Sequence, residues 1–133
     1  MISLLDTNVI VRFLTGDKDI KYRRLFSFFE SLEKGRKHVV IKHLVLFQTV
    51  FVLKSVYQVK KEQIVESLLD LLKYKGITIK DKKIITRTLE IWRDNNNEIV
   101  DCYLVASLEN DDQNILYSYD RGFKRFQINR IEP

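Results

Sequence analysis

The chain has 133 residues, of which 45% are hydrophobic and 31% are charged, a balance that excludes a disordered chain. Four glycines and one proline leave little room for long linkers, and the single cysteine, Cys102, excludes an internal disulfide. The 23 basic residues outnumber the 18 acidic ones, and the net charge of +5 favours polyanionic partners. No signal-peptide pattern opens the chain and no apolar run is long enough to span a membrane. We therefore predict a single cytoplasmic domain over residues 1–133.

Short apolar strands alternate with helical patterns along the chain. The predicted elements, in order, are a strand at 2–5, helices at 9–14 and 20–32, a strand at 38–41, helices at 44–56 and 60–72, a strand at 77–79, helices at 81–94 and 102–109, a strand at 115–117, a turn or short helix at 122–126 and a strand at 127–131. Strands separated by helices predict an α/β fold with a parallel sheet and helices on both faces.

Three aspartates stand at junctions of this pattern. Asp6 follows the first strand, Asp101 precedes the helix at 102–109, and Asp120 follows the strand at 115–117. Because open parallel sheets place their sites at the carboxyl ends of the strands, these carboxylates are candidates for one pocket. Mg²⁺ and Mn²⁺ take oxygen ligands, commonly carboxylates together with water and substrate phosphate. A bound ion relieves the repulsion among carboxylates and activates water for attack on a phosphodiester.

Each of these side chains also has an ordinary structural role open to it. Asp6 and Asp101 precede helical patterns, and aspartate is a preferred N-cap residue there. Asp120 begins a segment with ordinary turn chemistry. Ser118, two residues earlier, either donates a hydrogen bond to a carboxylate or phosphate or simply ends a strand. The sequence leaves both sets of roles open.

Four segments, in order, resemble the motifs of PIN-domain proteins and in particular the VapC-type toxin ribonucleases: DTNVIVRFLTGD, LFQTVFVLKSVY, IVDCYLVAS and LYSYDRGFKRF. The resemblance covers nearly the whole chain and implies a PIN-like three-layer α/β domain with a central parallel sheet of four to five short strands flanked by helices. It also implies a Mg²⁺ or Mn²⁺ site and cleavage of single-stranded RNA regions that leaves a 5′-phosphate and a 3′-hydroxyl. The metal-binding acids of the family match Asp6, Asp101 and Asp120, and its supporting residues match Asn8 and Ser118.

The second motif departs from the family at Gln48, which stands where the family has Glu. Glutamine has nearly the same shape and keeps one acceptor oxygen, but it loses the charge. The site is then weakened but active, or belongs to an inactive relative, or was changed to silence a nuclease. A fourth interpretation makes Gln48 a buried amide bonded to a neighbouring helix. We expect a metal-dependent ribonuclease with Asp6, Gln48, Asp101 and Asp120 as its catalytic site, and the alternative is an inactive PIN-like module that binds RNA or protein.

Basic residues near these motifs are candidate phosphate contacts, which position a nucleic-acid backbone without reading its sequence. The candidates for RNA contact are Arg12, Arg121, Lys124 and Arg125, with Lys18, Lys21, Arg23 and Arg24 as further basic residues. VapC-type toxins resemble one another in forming homodimers and in being held by a small antitoxin. The resemblance therefore implies the toxin of a type II toxin–antitoxin pair, with an RNA substrate, a cognate antitoxin and a homodimer. The apolar helix faces around residues 25–29 and 47–56 are suited to a dimer surface.

Overall fold

Short helices and very short strands alternate along the computed structural model of the chain, which describes residues 1–16, 19 and 22–133. In chain order the elements are α1 (Thr7–Thr15), α2 (Leu25–Glu33), β1 (Val39–Val40), α3 (His43–Ser55), α4 (Lys61–Leu71), β2 (Ile77–Thr78), α5 (Lys82–Asp94), α6 (Ile99–Leu108), β3 (Ile115–Tyr117), a 3-10 helix (Arg121–Arg125) and β4 (Asn129–Ile131). The strand pairs β1–β2 and β3–β4 are both parallel. The predicted α/β class with parallel strands is therefore confirmed.

The elements form two compact units, Met1–Lys82 and Lys83–Pro133. The first unit holds α1 to α4 with the β1–β2 pair, and the second holds α6, the 3-10 helix and the β3–β4 pair. Each parallel pair thus lies inside one unit. The assignment of residues 1–133 to one domain stays a prediction.

Helix α3 packs against both α1 and α4 in the first unit. Its buried side chains Leu46, Val50 and Leu53 recur at helical spacing along one face. Helix α1 also packs against α2, and the ring of Phe13 stacks on that of Phe29 with the centroids 3.9 Å apart. The predicted helix at 44–56 is therefore confirmed within one residue at each end.

The N-terminal strand predicted at 2–5 is wrong in extent. Only one parallel bridge forms there, between Leu4 and Val40, and α1 begins directly afterwards at Thr7. The backbone N–H of Val40 donates to the Ser3 carbonyl at 2.8 Å, and that of Leu5 donates to the Val40 carbonyl at 3.2 Å. A segment that short supports a bridge but no ladder. The last strand likewise begins at Asn129 rather than 127, because the chain bends at residues 126–128 after the 3-10 helix.

No helix in the described ranges has the length and apolar character needed to cross a membrane. The predicted helix at 20–32 is seen as α2 from Leu25 onward, and residue 20 lies outside the described residues.

Candidate metal and RNA site

Asp6 caps helix α1. Its backbone is extended, with φ −90° and ψ 155°, and its Oδ1 accepts a hydrogen bond from the Thr7 N–H at 2.7 Å. The structural role considered for Asp6 is therefore real. The residue is exposed, and the cap occupies one of its two carboxylate oxygens, so capping leaves room for a second role as a ligand.

Gln48 lies on α3 and is bonded to the start of α1. The hydroxyl of Thr7 donates to Gln48 Oε1 at 2.8 Å. The predicted bond to a neighbouring helix is confirmed, but the predicted burial is wrong, because Gln48 is exposed. The side chain projects from α3 next to the α1 terminus, and its amide group has two N–H donors besides the oxygen that Thr7 engages.

Asp6 and Gln48 line one cavity of about 390 Å³ in the first unit. The other residues that line this cavity are Thr7, Asn8, Val11, Arg12, Val52, Val56 and Tyr57. Arg12 is held over the ring of Tyr22, with its guanidinium carbon 4.1 Å from the ring centroid. Two predicted neighbours of Asp6, namely Asn8 and Arg12, therefore share its cavity.

Asp101 and Asp120 are electrostatic neighbours in the second unit. Burial raises the pKa of the Asp101 carboxyl above its ordinary value, and the charges of Asp120 and Glu98 raise that pKa further. Helix α6 begins at Ile99 after the extended residue Glu98, so Asp101 stands in the first turn. The prediction that Asp101 caps a helix starting at 102 is wrong, because the chain turns helical three residues earlier.

A tight turn fixes the Asp120 side chain. Asp120 Oδ1 accepts a hydrogen bond from the Gly122 N–H at 2.7 Å, which starts the 3-10 helix. The Asp120 N–H in turn donates to Ser118 Oγ at 3.0 Å. Ser118 therefore supports the turn that carries Asp120 by accepting a hydrogen bond from its backbone. Donation by the Ser118 hydroxyl to a carboxylate or phosphate stays a prediction.

Asn97 is a residue that sequence reasoning missed. Its Oδ1 is buried and has no hydrogen-bond partner in the part of the chain that the structure describes. Its Nδ2 lies 3.8 Å from the place where a side chain on Gly122 would begin, which puts Asn97 beside the Asp120 turn. The run of three asparagines at 95–97 indicated only a polar break between helices.

The carboxylate and amide oxygens of these residues are ligand types that a hard divalent cation prefers. Residues 1–16, 19 and 22–133 contain no group of three or more His, Cys, Asp or Glu side chains placed to hold a metal ion. Mg²⁺, however, is commonly bound by one or two protein carboxylates and completes its shell with water and substrate phosphate. The charge of Asp120 acts on Asp101, and the Asn97 carbonyl oxygen has no partner among the described residues, so the residue types in this part of the second unit suit such an ion. The shared ligand set of Asp6, Asp101 and Asp120 stays a prediction.

The basic candidates divide by position. Arg121, Lys124 and Arg125 are exposed on the 3-10 helix that directly follows Asp120, and Arg23 and Arg24 are exposed before α2. Lys18 and Lys21 lie outside the described residues. Contact of these side chains with RNA stays a prediction.

Comparison with known proteins decides the family, because residues 3–129 match the family model described as the PIN domain. The chain belongs to the PIN-domain family. A curated relative is the VapC ribonuclease of Aquifex aeolicus (strain VF5), which is 23% identical over 130 residues covering 98% of this chain and 96% of the relative. The predicted resemblance to VapC-like PIN domains is thereby confirmed, and with it the α/β fold class.

Proposed function

We propose that this PIN-domain protein is a metal-dependent endoribonuclease that cuts single-stranded regions of RNA. One observation carries the proposal: Asp101 and Asp120, two of the three acids matched to the family's metal ligands, are electrostatic neighbours, since burial and then the charge of Asp120 raise the pKa of Asp101. The name of the relative, VapC ribonuclease, supports RNA as the substrate class. By the family resemblance, the products carry a 5′-phosphate and a 3′-hydroxyl.

In this proposal Asp6, Asp101 and Asp120 hold Mg²⁺ or Mn²⁺. The ion, when bound, supplies Lewis-acid chemistry that activates water and offsets charge on the phosphate. The protein's own part is to place the oxygens in advance. The bond from the Thr7 N–H orients Asp6, and the bond from the Gly122 N–H orients Asp120. Such preorganisation lowers the cost of reaching the reactive arrangement.

Gln48 takes the position of the usual Glu and brings no charge to the site. We propose that the three aspartates suffice for metal binding and that Gln48 weakens the activity. Asn8 lines the same cavity as Asp6 and is the proposed supporting residue. Ser118 supports Asp120 from the neighbouring turn.

We further propose that the protein is a cytoplasmic toxin of a type II pair, a homodimer that is held by a cognate antitoxin. The relative's VapC name supports the toxin class. Exposed apolar side chains on α3, with Leu44 at 84% and Phe51 at 65% exposure, support a protein-binding surface on this helix. The net charge of +5 supports an RNA substrate.

A non-catalytic PIN-like module that binds RNA or protein is the second candidate. The observation that favours it is the neutral Gln48, whose Oε1 already accepts a hydrogen bond from the Thr7 hydroxyl. This candidate predicts weak affinity for Mn²⁺ and RNA binding without turnover.

The test is Mn²⁺-dependent cleavage of a fluorogenic single-stranded RNA by the unchanged chain, Gln48→Glu and Asp101→Asn. Cleavage by the unchanged chain that is lost in Asp101→Asn supports three sufficient aspartates. Cleavage by Gln48→Glu alone supports a nuclease disabled at one charge. Retained metal-dependent cleavage by Asp101→Asn would remove Asp101 from the site. Absence of cleavage by both the unchanged chain and Gln48→Glu would favour the binding module.

A further inference from the structure

The cavity that contains Asp6 and Gln48 also has an aromatic residue in its wall. This residue is Tyr57, which is 48% exposed. Val52 and Val56 add apolar side chains to the same wall. A volume of about 390 Å³ lies in the range of small-molecule sites, and an apolar wall facing a few polar groups is their usual composition. The cavity is thus suited to a flat ring that carries polar edges.

Tyr57 also lines a second cavity of about 550 Å³, which extends toward α4 and includes Leu14, Gln63 and Ser67. Tyr57 therefore borders open space on more than one side. An aromatic ring in this position is available for stacking with a ligand.

The backbone holds Tyr57 in place. Its N–H donates to the Val52 carbonyl at 3.2 Å, and the N–H of Val59 donates to the Leu53 carbonyl at 2.9 Å across the same turn. Gln58 has φ 53°, in the left-handed region that residues other than glycine seldom adopt. Such constrained residues concentrate at functional sites. The half-exposed ring is therefore presented from a defined turn rather than from a loose loop.

Among the polar residues that line the cavity beside the Asp6 carboxylate, Gln48 offers hydrogen-bond donors where the family has a second carboxylate. Thr7 donates to Gln48 Oε1 at 2.8 Å, which orients the amide and leaves its N–H groups as the part of Gln48 that can serve a ligand. Arg12 lines the same cavity and adds a positive charge. Donors and positive charge suit the acceptor atoms of a nucleobase or phosphate, whereas a glutamate in place of Gln48 would repel them.

We propose that this cavity is a subsite for one nucleotide of single-stranded RNA, in which the base stacks on Tyr57 and the Gln48 amide donates a hydrogen bond to the nucleotide. The inference rests on the proposed RNA substrate and deepens it, because it assigns Tyr57 and gives Gln48 a role other than that of a missing metal ligand. Stacking of unpaired bases on aromatic side chains is the common mode of single-strand recognition, and it tolerates different bases.

The experiment measures binding of a short fluorescein-labelled single-stranded RNA by anisotropy in EDTA, so that no cleavage occurs. The chains compared are the unchanged protein, Tyr57→Ala and Tyr57→Phe, which keeps the ring. Tyr57→Ala is expected to weaken binding by roughly 5- to 150-fold, the range that loss of one base–aromatic stack produces. Tyr57→Phe is expected to bind like the unchanged chain, and equal thermal unfolding of the two variants excludes misfolding as the cause.

A second arm uses copies of the same RNA with one base removed at each position in turn. One position should weaken binding to the unchanged chain and have no further effect in Tyr57→Ala, because both changes remove the same stack. Additive losses at every position, or undiminished binding by Tyr57→Ala, would overturn the subsite.

Gln48 gives an independent arm. Gln48→Ala is expected to weaken RNA binding in EDTA by about 2- to 10-fold, as loss of one hydrogen bond does. Gln48→Glu should bind RNA more weakly still in EDTA, because it loses the donors and adds a negative charge. Tighter RNA binding by Gln48→Glu in EDTA would overturn the role proposed for the amide.

These readouts separate the subsite from the nuclease proposal. Suppose that one base position is coupled to Tyr57, but that neither the unchanged chain nor Gln48→Glu cleaves RNA with Mn²⁺. This result keeps the subsite and rejects the nuclease. RNA binding and cleavage without that coupling reject the subsite alone. Absence of RNA binding by the unchanged chain in EDTA rejects the subsite. Absence of Mn²⁺-dependent cleavage by both the unchanged chain and Gln48→Glu rejects the nuclease as well.

Discussion

At the scale of single residues, the candidate site depends on where negative charge is placed. Asp101 carries its charge in a partly buried position against Asp120 and Glu98, and all three effects raise its pKa. Gln48 brings no charge to the cavity that it shares with Asp6. In the metal-free protein, the ionised form of Asp101 in the second unit is therefore disfavoured. In the first unit, a Glu at position 48 would add a negative charge beside Asp6.

Asp101→Asn is expected to stabilise the metal-free protein. Because the pKa of Asp101 is raised in the folded state, the folded chain binds this proton more tightly than the unfolded chain does. Stability therefore falls as the pH rises from the ordinary value of 3.8 through the raised pKa. In EDTA at neutral pH, Asp101→Asn should melt a few degrees higher than the unchanged chain, and the difference should vanish at acid pH. Thermal unfolding followed by circular dichroism across this pH range measures the effect.

Glu109→Gln is the control for this pH series. Glu109 Oε2 accepts a hydrogen bond from Arg87 Nε at 2.8 Å, so removal of its charge should give no stabilisation. A neutral-pH melting temperature of Asp101→Asn below that of the unchanged chain would contradict the prediction.

Gln48→Glu is expected to raise the affinity for Mn²⁺ by at least roughly tenfold, the lower end of what supporting residues contribute to metal sites. The physical reason is that the new carboxylate would share a cavity with Asp6. Isothermal titration calorimetry with Mn²⁺ measures the affinity, and Gln48→Ala, which adds no charge, should show no gain. Equal affinities of Gln48→Glu and the unchanged chain would place position 48 outside the metal site.

At the scale of elements, one glycine joins the end of α2 to the first strand pair. The Gly76 N–H donates to the Leu32 carbonyl at 2.7 Å, and the Gly76 carbonyl accepts from the Val39 N–H at 2.8 Å. A β-carbon at this position would collide with the Lys37 carbonyl and would lie 2.8 Å from the Leu32 carbonyl oxygen. The β1–β2 pair therefore depends on the absence of a side chain at residue 76.

Gly76→Ala is expected to lower the free energy of unfolding by about 3 kcal/mol or more, because backbone atoms on two sides cannot move away as a flexible side chain can. Gly16→Ala is the matched control. Gly16 ends α1 with φ 66°, but its added β-carbon would meet no atom of the described residues within 4 Å, so only backbone strain of roughly 1–2 kcal/mol is expected. Urea unfolding of both variants measures the difference, and similar losses would show that the close approach relaxes easily.

At the scale of the whole molecule, the excess of basic residues bears on RNA binding. The net charge is +5, and three exposed basic side chains follow Asp120 on the 3-10 helix. Phosphate contacts release condensed counterions, so they weaken steeply as salt is added. A protein that binds RNA mainly through its backbone phosphates should therefore show a strong dependence on salt.

RNA affinity is expected to fall roughly tenfold or more between about 50 mM and 200 mM salt. Replacement of Arg121, Lys124 and Arg125 by alanine should weaken binding at low salt and flatten this dependence. The control replaces the three basic residues of segment 34–37, which changes the net charge equally. Anisotropy titrations at several salt concentrations measure both, and equal slopes for the two triple variants would reject a specific role for the 3-10 helix.

Much of the secondary structure, and the family, could be predicted from residue types and their spacing. Apolar periodicity predicted α3 within one residue at each end, and the strand at 115–117 was predicted with its observed bounds. The resemblance of the four motifs led to the family that the PIN match confirms. Periodicity succeeds here because apolar residues recur at a regular spacing along the buried face of a helix or strand.

Prediction from local sequence failed at the boundaries of elements, where the conformation of the neighbouring backbone decides where a helix or strand begins. The start of α6 at Ile99 is set by the extended conformation of Glu98, although Asp101 is the better capping residue by type. The strand predicted at 2–5 shrank to one bridge, because α1 begins at once. The first and last residues of a helix or strand depend on competition between adjacent segments, and the propensities of single residues do not decide it.

The sequence by itself determined the α/β class, the order of elements, the net positive charge and the identity of the acids, because these follow from composition and periodic pattern. Only the tertiary structure decided that the charge of Asp120 reaches Asp101, that Thr7 bonds to Gln48, and that Tyr57 lines the same cavity as both. Residues 7 and 48 lie 41 positions apart, and no local pattern encodes such a contact. It arises because α1 packs on α3, and that packing sets which side chains meet.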